Sequence, residues 1–186
     1  IMNNNFRVQE MGRIALFAAL TSVLAFVSIP LPFSPVPVSG QTLGVMLAGI
    51  FLTGRNAAVS QFIYTLLGVV GLPVFAGGRS GIGILFGATG GYIWGFIIGA
   101  YVIGKITEGK FKDRWLRKLV ALVVGGVVVI YILGMAQFMF VMDASLGKAI
   151  SATMLPFLPG DVFKILVAIL IGQKINLEAI STRDIF

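Results

Sequence analysis

An apolar segment near the end of the chain, PFLPGDVFKILVAILIG (156–172), contains one carboxylate and one ammonium group, those of Asp161 and Lys164. Residues three positions apart lie on one face of a helix. A charged side chain at the centre of a membrane costs about 2.5–3.5 kcal/mol on insertion scales, so such residues usually face a partner or a cavity. Two interpretations are open. Either Asp161 caps the start of a helix while Lys164 pairs with it or reaches outward, or the two groups bind a ligand.

A third charge favours the ligand interpretation. Arg79 lies in LPVFAGGRSG (72–81), an otherwise uncharged loop that we predict to lie on the same side of the membrane as Asp161 and Lys164. Two cations and one anion leave one positive charge without a partner. The anionic group of a ligand would neutralise that charge.

The composition is typical of a membrane protein and excludes several kinds of site. Of the 186 residues, 58% are hydrophobic and 11% are charged, whereas soluble domains average about 25% charged residues. The chain contains no cysteine and no histidine. Disulfides, Ser-His-Asp triads and zinc-hydrolase sites are therefore impossible, and we expect neither a metal nor a cofactor. The net charge of +7 is better explained by basic residues on the cytoplasmic side of a membrane than by nucleic-acid binding.

The distribution of apolar segments predicts an all-α integral membrane protein, a compact bundle of six transmembrane helices. A span needs about 20 mostly apolar residues, although shorter helices are tolerated inside a bundle. The predicted spans lie near 14–31, 41–54, 56–75, 82–104, 119–142 and 160–176.

The first two spans share one uncharged run, which the proline-rich stretch IPLPFSPVPVSG (29–40) divides because proline cannot continue a helix. The expected organisation is a cytoplasmic segment over 1–13, one transmembrane domain over 14–176 and a cytoplasmic tail over 177–186.

The basic residues predict the orientation. With six spans both termini share one face, and the segments on that face contain eleven of the fourteen basic residues; the opposite face keeps Arg79, Lys148 and Lys164. Basic residues accumulate on the cytoplasmic side. We therefore expect a multi-pass protein of the plasma membrane with both termini in the cytoplasm. The extracytoplasmic connections (30–40, 72–81 and 143–159) are apolar and rich in proline and glycine, which suggests lids that fold over a ligand.

Glycines recur every four residues along the fourth span, at Gly83, Gly87, Gly91, Gly95 and Gly99. Such a series leaves one helix face without side chains, which favours close helix packing. Near the outer end, up to Gly91, the same bare surface could leave room for a ligand. The stretch TGGYIWG then places Tyr92 and Trp94 beside it.

Three further motifs allow more than one interpretation. Gln41 and Thr42 begin the second span and could cap it or contact a ligand. Ala15 and Ala19 lie one helical turn apart and could serve packing within the bundle or docking of another membrane protein. The stretch GAYVIGKI (99–106) nearly matches a P-loop but has Ile106 where Mg²⁺ binding needs Ser or Thr. We therefore expect no nucleotide hydrolysis by this chain.

Three ordered segments, PVPVSGQTLGVMLAG (35–49), GLPVFAGGRSGIGILFGATGGYIWGF (71–96) and PFLPGDVFK (156–164), resemble the BioY family, the biotin-specific S components of energy-coupling-factor (ECF) vitamin transporters. The resemblance covers nearly the whole chain. It implies a six-helix, non-enzymatic subunit that captures biotin from outside. Such a subunit delivers biotin inward together with a transmembrane coupling protein and two cytoplasmic ATPases.

The resemblance also suggests roles for individual residues. Lys164, helped by Arg79, would neutralise the biotin carboxylate, and Asp161 would accept from the ureido group or hold Lys164. The other residues expected to contact biotin, through polar groups or as walls around its apolar part, are Gln41, Thr42, Phe75, Gly91, Tyr92 and Trp94. Ala15 and Ala19 match the small-residue motif with which S components meet the coupling protein.

Two alternatives come from other functional classes. The first is an intramembrane enzyme that acts on an anionic lipid or isoprenoid with Asp161 as its carboxylate. Phosphoryl chemistry would normally require several clustered carboxylates around Mg²⁺, and Asp161 is the sole acidic residue within a predicted span. The second is a channel, for which the glycine-packed bundle offers no polar pore lining.

Overall fold

The structure, a computed structural model, describes residues 4–108 and 115–175 of the chain. The predicted cytoplasmic tail (177–186) lies outside the described residues. Within them, the elements in chain order are α1 (Asn4–Leu24), β1 (Ser28–Leu31), β2 (Ser34–Ser39), α2 (Gln41–Phe51), α3 (Gly54–Val69), α4 (Gly83–Phe86), α5 (Gly90–Thr107), α6 (Trp115–Met142), α7 (Leu146–Thr153) and α8 (Leu158–Lys174). The prediction of a predominantly helical protein is confirmed, with one short hairpin in addition.

Helix α5 lies at the centre of the bundle and packs against α2, α3 and α6. Helix α1 packs on α2 and α3, while α8 packs on α2 and α6. Three glycines of α5 make the close approach to α6 possible. A Cβ atom added at Gly91 would lie 2.2 Å from the carbonyl oxygen of Leu133, and one added at Gly99 would lie 2.5 Å from that of Gly125. Gly95 approaches α6 between these two contacts, where its added Cβ would lie 3.0 Å from Ile130 Cα.

The predicted unbroken glycine series over 83–99 is wrong in its first part. Gly83 begins the one-turn helix α4, which ends before the extended backbone of Gly87, and α5 begins only at Gly90. Gly83 and Gly87 therefore do not share a helical face with the later glycines. The motif GAYVIGKI lies inside α5, so its backbone forms no phosphate-binding loop.

The first span ends earlier than predicted, at Leu24 instead of residue 31. The chain then forms an antiparallel hairpin in which Ser28 faces Ser39 and Ile29 faces Val38. Proline is tolerated in this hairpin because each strand has only one partner and one free edge. The hairpin returns to the helices at Gly40, where an added Cβ would lie 2.7 Å from the carbonyl oxygen of Leu24.

Helix α6 has 28 residues and is long and apolar enough to cross a membrane. Helices α7 and α8, which meet at a bend of 55°, would together form a second candidate span. A π-helical segment, Val124–Val129, interrupts α6. The count of six transmembrane helices stays a prediction.

The two ends of the bundle have different contacts. At one end the Nζ atom of Lys118 donates to the carbonyl oxygen of Gly172 at 2.7 Å, and the guanidinium group of Arg117 donates to the carbonyl oxygen of Glu108 at 2.7 Å. These basic side chains neutralise the carbonyl ends of α8 and α5. The hairpin, the 70–82 connection and the start of α8 lie at the opposite end, where they enclose a cavity.

Candidate functional site

The cavity at this end has a volume of about 630 Å³, which includes solvent space at its opening. Its walls come from the hairpin, the 70–82 connection and five helices, so segments distant in sequence contribute to one site. The lining residues are Val36, Pro37, Ser39, Gln41, Thr42, Phe75, Ala76, Arg79, Ile84, Thr89, Tyr92, Ile93, Phe96, Gly126, Ile130, Tyr131, Phe157, Asp161 and Lys164. About half of these residues are apolar, and the main group of polar side chains surrounds Asp161.

The main polar cluster joins three helices around Asp161. Its Oδ1 atom lies 3.1 Å from Lys164 Nζ and accepts a long hydrogen bond of 3.5 Å from Thr42 Oγ1. Lys164 Nζ also donates to Thr42 Oγ1 at 2.9 Å. On the other side, the hydroxyl group of Tyr131 donates to Asp161 Oδ2 at 2.5 Å. A buried charge is tolerated only when paired and hydrogen-bonded in this way.

Asp161 and Lys164 lie near the start of α8. The helix begins at Leu158 with Pro159 in its first turn, a position where the missing N–H of proline costs nothing. The preceding residue, Phe157, offers no side-chain cap. Asp161 lies within the first turn, where the helix dipole favours an anion. The interpretation of Asp161 as a helix cap is therefore wrong, whereas its predicted pairing with Lys164 is observed.

Gln41 lines the cavity but its amide is already engaged by the protein. Its Oε1 atom accepts from Ser39 Oγ at 2.7 Å, and its Nε2 atom donates to the hydroxyl group of Tyr64. Within the part of the chain that the structure describes, no side chain caps the start of α2, so neither Gln41 nor Thr42 acts as a cap. Gln41 instead ties the end of the hairpin to α3.

The 70–82 connection contributes one aromatic wall and one cation. Phe75 and Arg79 pair across a tight turn, with Gly77 and Gly78 at φ of 73° and 71°, in the left-handed region that favours glycine. Phe75 is buried, whereas Arg79 is exposed and donates from Nε to the carbonyl oxygen of Ala76 at 3.1 Å. Among the described residues, no carboxylate lies within ion-pair distance of Arg79.

Two predicted site residues lie outside the cavity. Tyr92 lines it and donates to the carbonyl oxygen of Thr153 at 3.2 Å. Trp94 is 40% exposed and faces away, because two residues along a helix differ by about 200° in direction. Gly91 packs against the Leu133 carbonyl of α6 instead. Neither Trp94 nor Gly91 is among the residues that line this cavity, and their contact with a ligand stays a prediction.

Several lining residues were not predicted from the sequence. Tyr131 is the most consequential, because it contacts Asp161 directly. A signal was available: Tyr131 and Gln137 are the polar side chains of the predicted span 119–142. Gly126 and Phe157 gave no comparable signal, because an apolar or small residue in an apolar helix is usually packing.

Ala15 and Ala19 do not line the cavity and lie on an exposed face of α1. The neighbouring apolar residues Met11, Leu16 and Val23 are also exposed, by 61–68%. Within the described part of the chain, no group of three or more acidic residues could hold a metal ion. This arrangement suits reversible binding of an ionic ligand better than metal-dependent chemistry.

Comparisons with known proteins agree on one family. The family model described as "BioY family" matches residues 2–180. A biotin transporter BioY of Rhizobium etli is 38% identical over 87% of this chain and 89% of its own length. One of Rhodobacter capsulatus is 41% identical over 87% and 90%.

A solved structure is also similar. The crystal structure of an S-component for biotin from an ECF-type ABC transporter has a TM-score of 0.84 and 29% identity, and the match covers 94% of both chains. These matches confirm the resemblance predicted from the three sequence segments.

Proposed function

Because the chain belongs to the BioY family, we propose that it is the biotin-binding S component of an ECF-type vitamin transporter. It captures biotin from the extracytoplasmic side and delivers it inward together with a transmembrane coupling protein and two ATPases. The similar proteins are named as transporters, so the interpretation as an intramembrane enzyme has no support.

The observation that carries the proposal is the charge of the cavity. Asp161 and Lys164 neutralise each other at 3.1 Å, and Arg79 adds a further positive charge to the same cavity. A ligand with a single carboxylate balances this charge. Biotin has one valerate carboxylate, a neutral ureido ring and an apolar thioether ring, which suits a cavity with polar groups set into apolar walls.

The contacts already made within the protein suggest how the roles divide. Both oxygens of Asp161 accept from protein groups, which favours Asp161 as the holder of Lys164. Lys164 and Arg79 then share the biotin carboxylate. Gln41 and Thr42 provide polar contacts near the hairpin, while Phe75 and Tyr92 form aromatic walls.

The arrangement in the membrane is part of the same proposal. Six helices cross the plasma membrane: α1, α2, α3, α5, α6 and α8. The basic end, with Arg117 and Lys118, faces the cytoplasm, so the cavity opens outward. The hairpin and the 70–82 connection act as lids over the bound ligand, and excluding water strengthens the ionic contacts inside.

The exposed face of α1 with Ala15 and Ala19 is the proposed contact with the coupling protein. Small side chains allow the backbone of another helix to come close. The exposed apolar residues around them provide the surrounding contact area. Lipid covers this face when the coupling protein is absent.

Uptake of labelled biotin tests the proposal in cells that lack their own biotin transport. The chain is expressed with a coupling protein and its ATPases, and we expect uptake well above that of cells carrying the coupling module alone. Lys164→Ala should abolish it, while Lys148→Ala, which removes an exposed lysine outside the cavity, should not. Uptake equal to the background in cells that contain the protein in their membranes would refute the proposal.

A further inference from the structure

Tyr131 makes a close contact with the carboxylate that holds Lys164. Its hydroxyl group donates to Asp161 Oδ2 at 2.5 Å, and the two residues are 6% and 3% exposed. Hydrogen bonds to an ionised carboxylate are short and roughly twice as strong as those between neutral groups. Because both partners are buried, bulk water cannot readily replace this bond. The contact therefore fixes the direction in which the carboxylate plane faces.

That direction determines the position of the ammonium group. With Oδ2 occupied by Tyr131, Oδ1 is the oxygen that faces Lys164 Nζ at 3.1 Å. Thr42 supports the ammonium group from another side, at 2.9 Å. Lys164 Nζ is thus held between a hydroxyl oxygen and a carboxylate oxygen whose orientation depends on Tyr131.

The backbone of α6 explains why Tyr131 reaches Asp161. Tyr131 follows the π-helical segment Val124–Val129 almost directly. A π turn adds one residue to the helix, and one residue corresponds to a rotation of about 100°. The side chains after the segment therefore point in directions that an uninterrupted helix would not give them. π-Helical turns are often found at functional sites.

The ring of Tyr131 is also held in place. It packs edge-on against Tyr92, with ring centroids 6.3 Å apart and planes at 87°. Tyr92 in turn packs over Gly134, where an added Cβ would lie 2.4 Å from the ring. The hydroxyl group is therefore presented to Asp161 by a side chain with little freedom to move.

We propose that Tyr131 is a positioning residue that orients Asp161 so that Lys164 presents its ammonium group to the carboxylate of the ligand. This inference rests on the proposed function, because it takes biotin's carboxylate as the partner of Lys164. Without the hydroxyl group, Oδ2 loses its donor and the carboxylate turns toward the nearest cation. Lys164 is then drawn toward Asp161 and away from the ligand.

The test compares biotin with its neutral methyl ester in calorimetric titrations of the purified, full-length protein. We expect Tyr131→Phe to weaken biotin binding about tenfold and to weaken ester binding much less, because the ester gives Lys164 no anionic partner. Tyr101→Phe is the matched control, since it removes the hydroxyl group of a tyrosine that is 45% exposed and does not line the cavity. Melting temperatures establish that each variant is folded.

A double-mutant cycle separates positioning from a general structural role. In a Lys164→Ala background, the further change Tyr131→Phe should alter biotin affinity by less than about twofold. In an Asp161→Asn background, where Tyr131 has no carboxylate to orient, the further change Tyr131→Phe should likewise alter biotin affinity by less than about twofold.

Two results would overturn the inference: wild-type affinity in Tyr131→Phe, or equal losses for acid and ester in the variants that fold. A folded wild-type protein that binds no biotin would instead refute the proposed function.

Discussion

The ring of Phe75 packs edge-on against the ring of Tyr64, with centroids 5.8 Å apart and planes at 79°. Phe75 belongs to the 70–82 connection, whereas Tyr64 is a fully buried residue of α3. The hydroxyl group of Tyr64 accepts from Gln41, which accepts from Ser39 at the end of the hairpin. A single tyrosine is therefore linked to both segments that we propose as lids.

Gly68→Ala tests the packing of the 70–82 connection. An added Cβ at Gly68 would lie 2.2 Å from Cζ of Phe75, so the ring must move. Overpacking of this kind typically costs about 1–3 kcal/mol. Because Phe75 is also a cavity wall, we expect a lower melting temperature together with weaker biotin binding.

The matched control for this substitution is Gly147→Ala. Gly147 lies in α7, and no atom of the described residues lies within 4 Å of an added Cβ there, so stability and affinity should stay close to wild type. Unchanged biotin affinity in Gly68→Ala would show that the position of Phe75 does not matter for binding.

Ala19→Trp tests the proposed docking face. A large side chain on α1 should prevent close approach of a helix from the coupling protein. We expect loss of co-purification with the coupling protein and its ATPases, together with unchanged biotin affinity. The control is Leu170→Trp, which changes a residue that is 56% exposed on α8. Assembly that survives Ala19→Trp would place the contact elsewhere.

The absence of cysteine from the chain makes the proposed orientation testable with single introduced cysteines. Ser151 and Gln9 are both exposed and lie on opposite sides in the proposed arrangement. In intact cells, a membrane-impermeant maleimide should label Ser151→Cys and spare Gln9→Cys until the cells are opened. The reverse pattern would mean that the cavity opens to the cytoplasm.

Glu108 follows the last residue of α5, and its carboxylate binds the first residue of α3. Its Oε1 atom accepts from the backbone N–H of Gly54 at 2.6 Å, and its Oε2 atom lies 3.1 Å from Lys105 Nζ. The bond from Gly54, supported by Lys105, holds the pKa of Glu108 below its usual value. A lowered pKa in the folded state contributes stability that is present above the unfolded pKa, about 4.3. That stability is lost as the pH falls through the folded pKa.

Glu108→Gln should therefore lower the melting temperature at pH 7, and the difference from wild type should shrink as the pH falls below about 4. Lys105→Met is the control. It keeps the Gly54 contact and removes only a half-exposed ion pair, so its effect should be smaller. A Glu108→Gln difference that is as large at about pH 3 as at pH 7 would contradict the role assigned to the carboxylate.

The sequence predicted those features that depend on local spacing or on charge. Asp161 and Lys164 are three residues apart on one helix, so their pairing followed from helical geometry. The proline-rich stretch was correctly predicted to separate the first two helices, although the first helix already ends before it, at Leu24. Its hairpin was not predicted, because strand pairing depends on which segments meet and proline alone does not indicate a strand partner.

The errors of the sequence-based prediction concern the direction of side chains and the continuity of one helix. Trp94 was grouped with Tyr92 because the two are close in sequence, yet they point to different sides of α5. The glycines from Gly83 to Gly99 were predicted to share one helix, but the backbone at Gly87 is extended and not helical. Tyr131 reaches Asp161 after a π-helical segment, and a regular α-helical period does not predict that direction.

The most direct test of the account is a calorimetric titration of biotin into the purified protein, because Trp94 lies outside the cavity and its fluorescence would report binding only indirectly. We predict saturable binding to one site, much weaker binding of biotin methyl ester, and severe loss of biotin affinity in Lys164→Ala. The folded Lys148→Ala control should bind like wild type. Wild-type affinity in Lys164→Ala, or equal affinity for acid and ester, would contradict the assignment of Lys164 to the ligand's carboxylate.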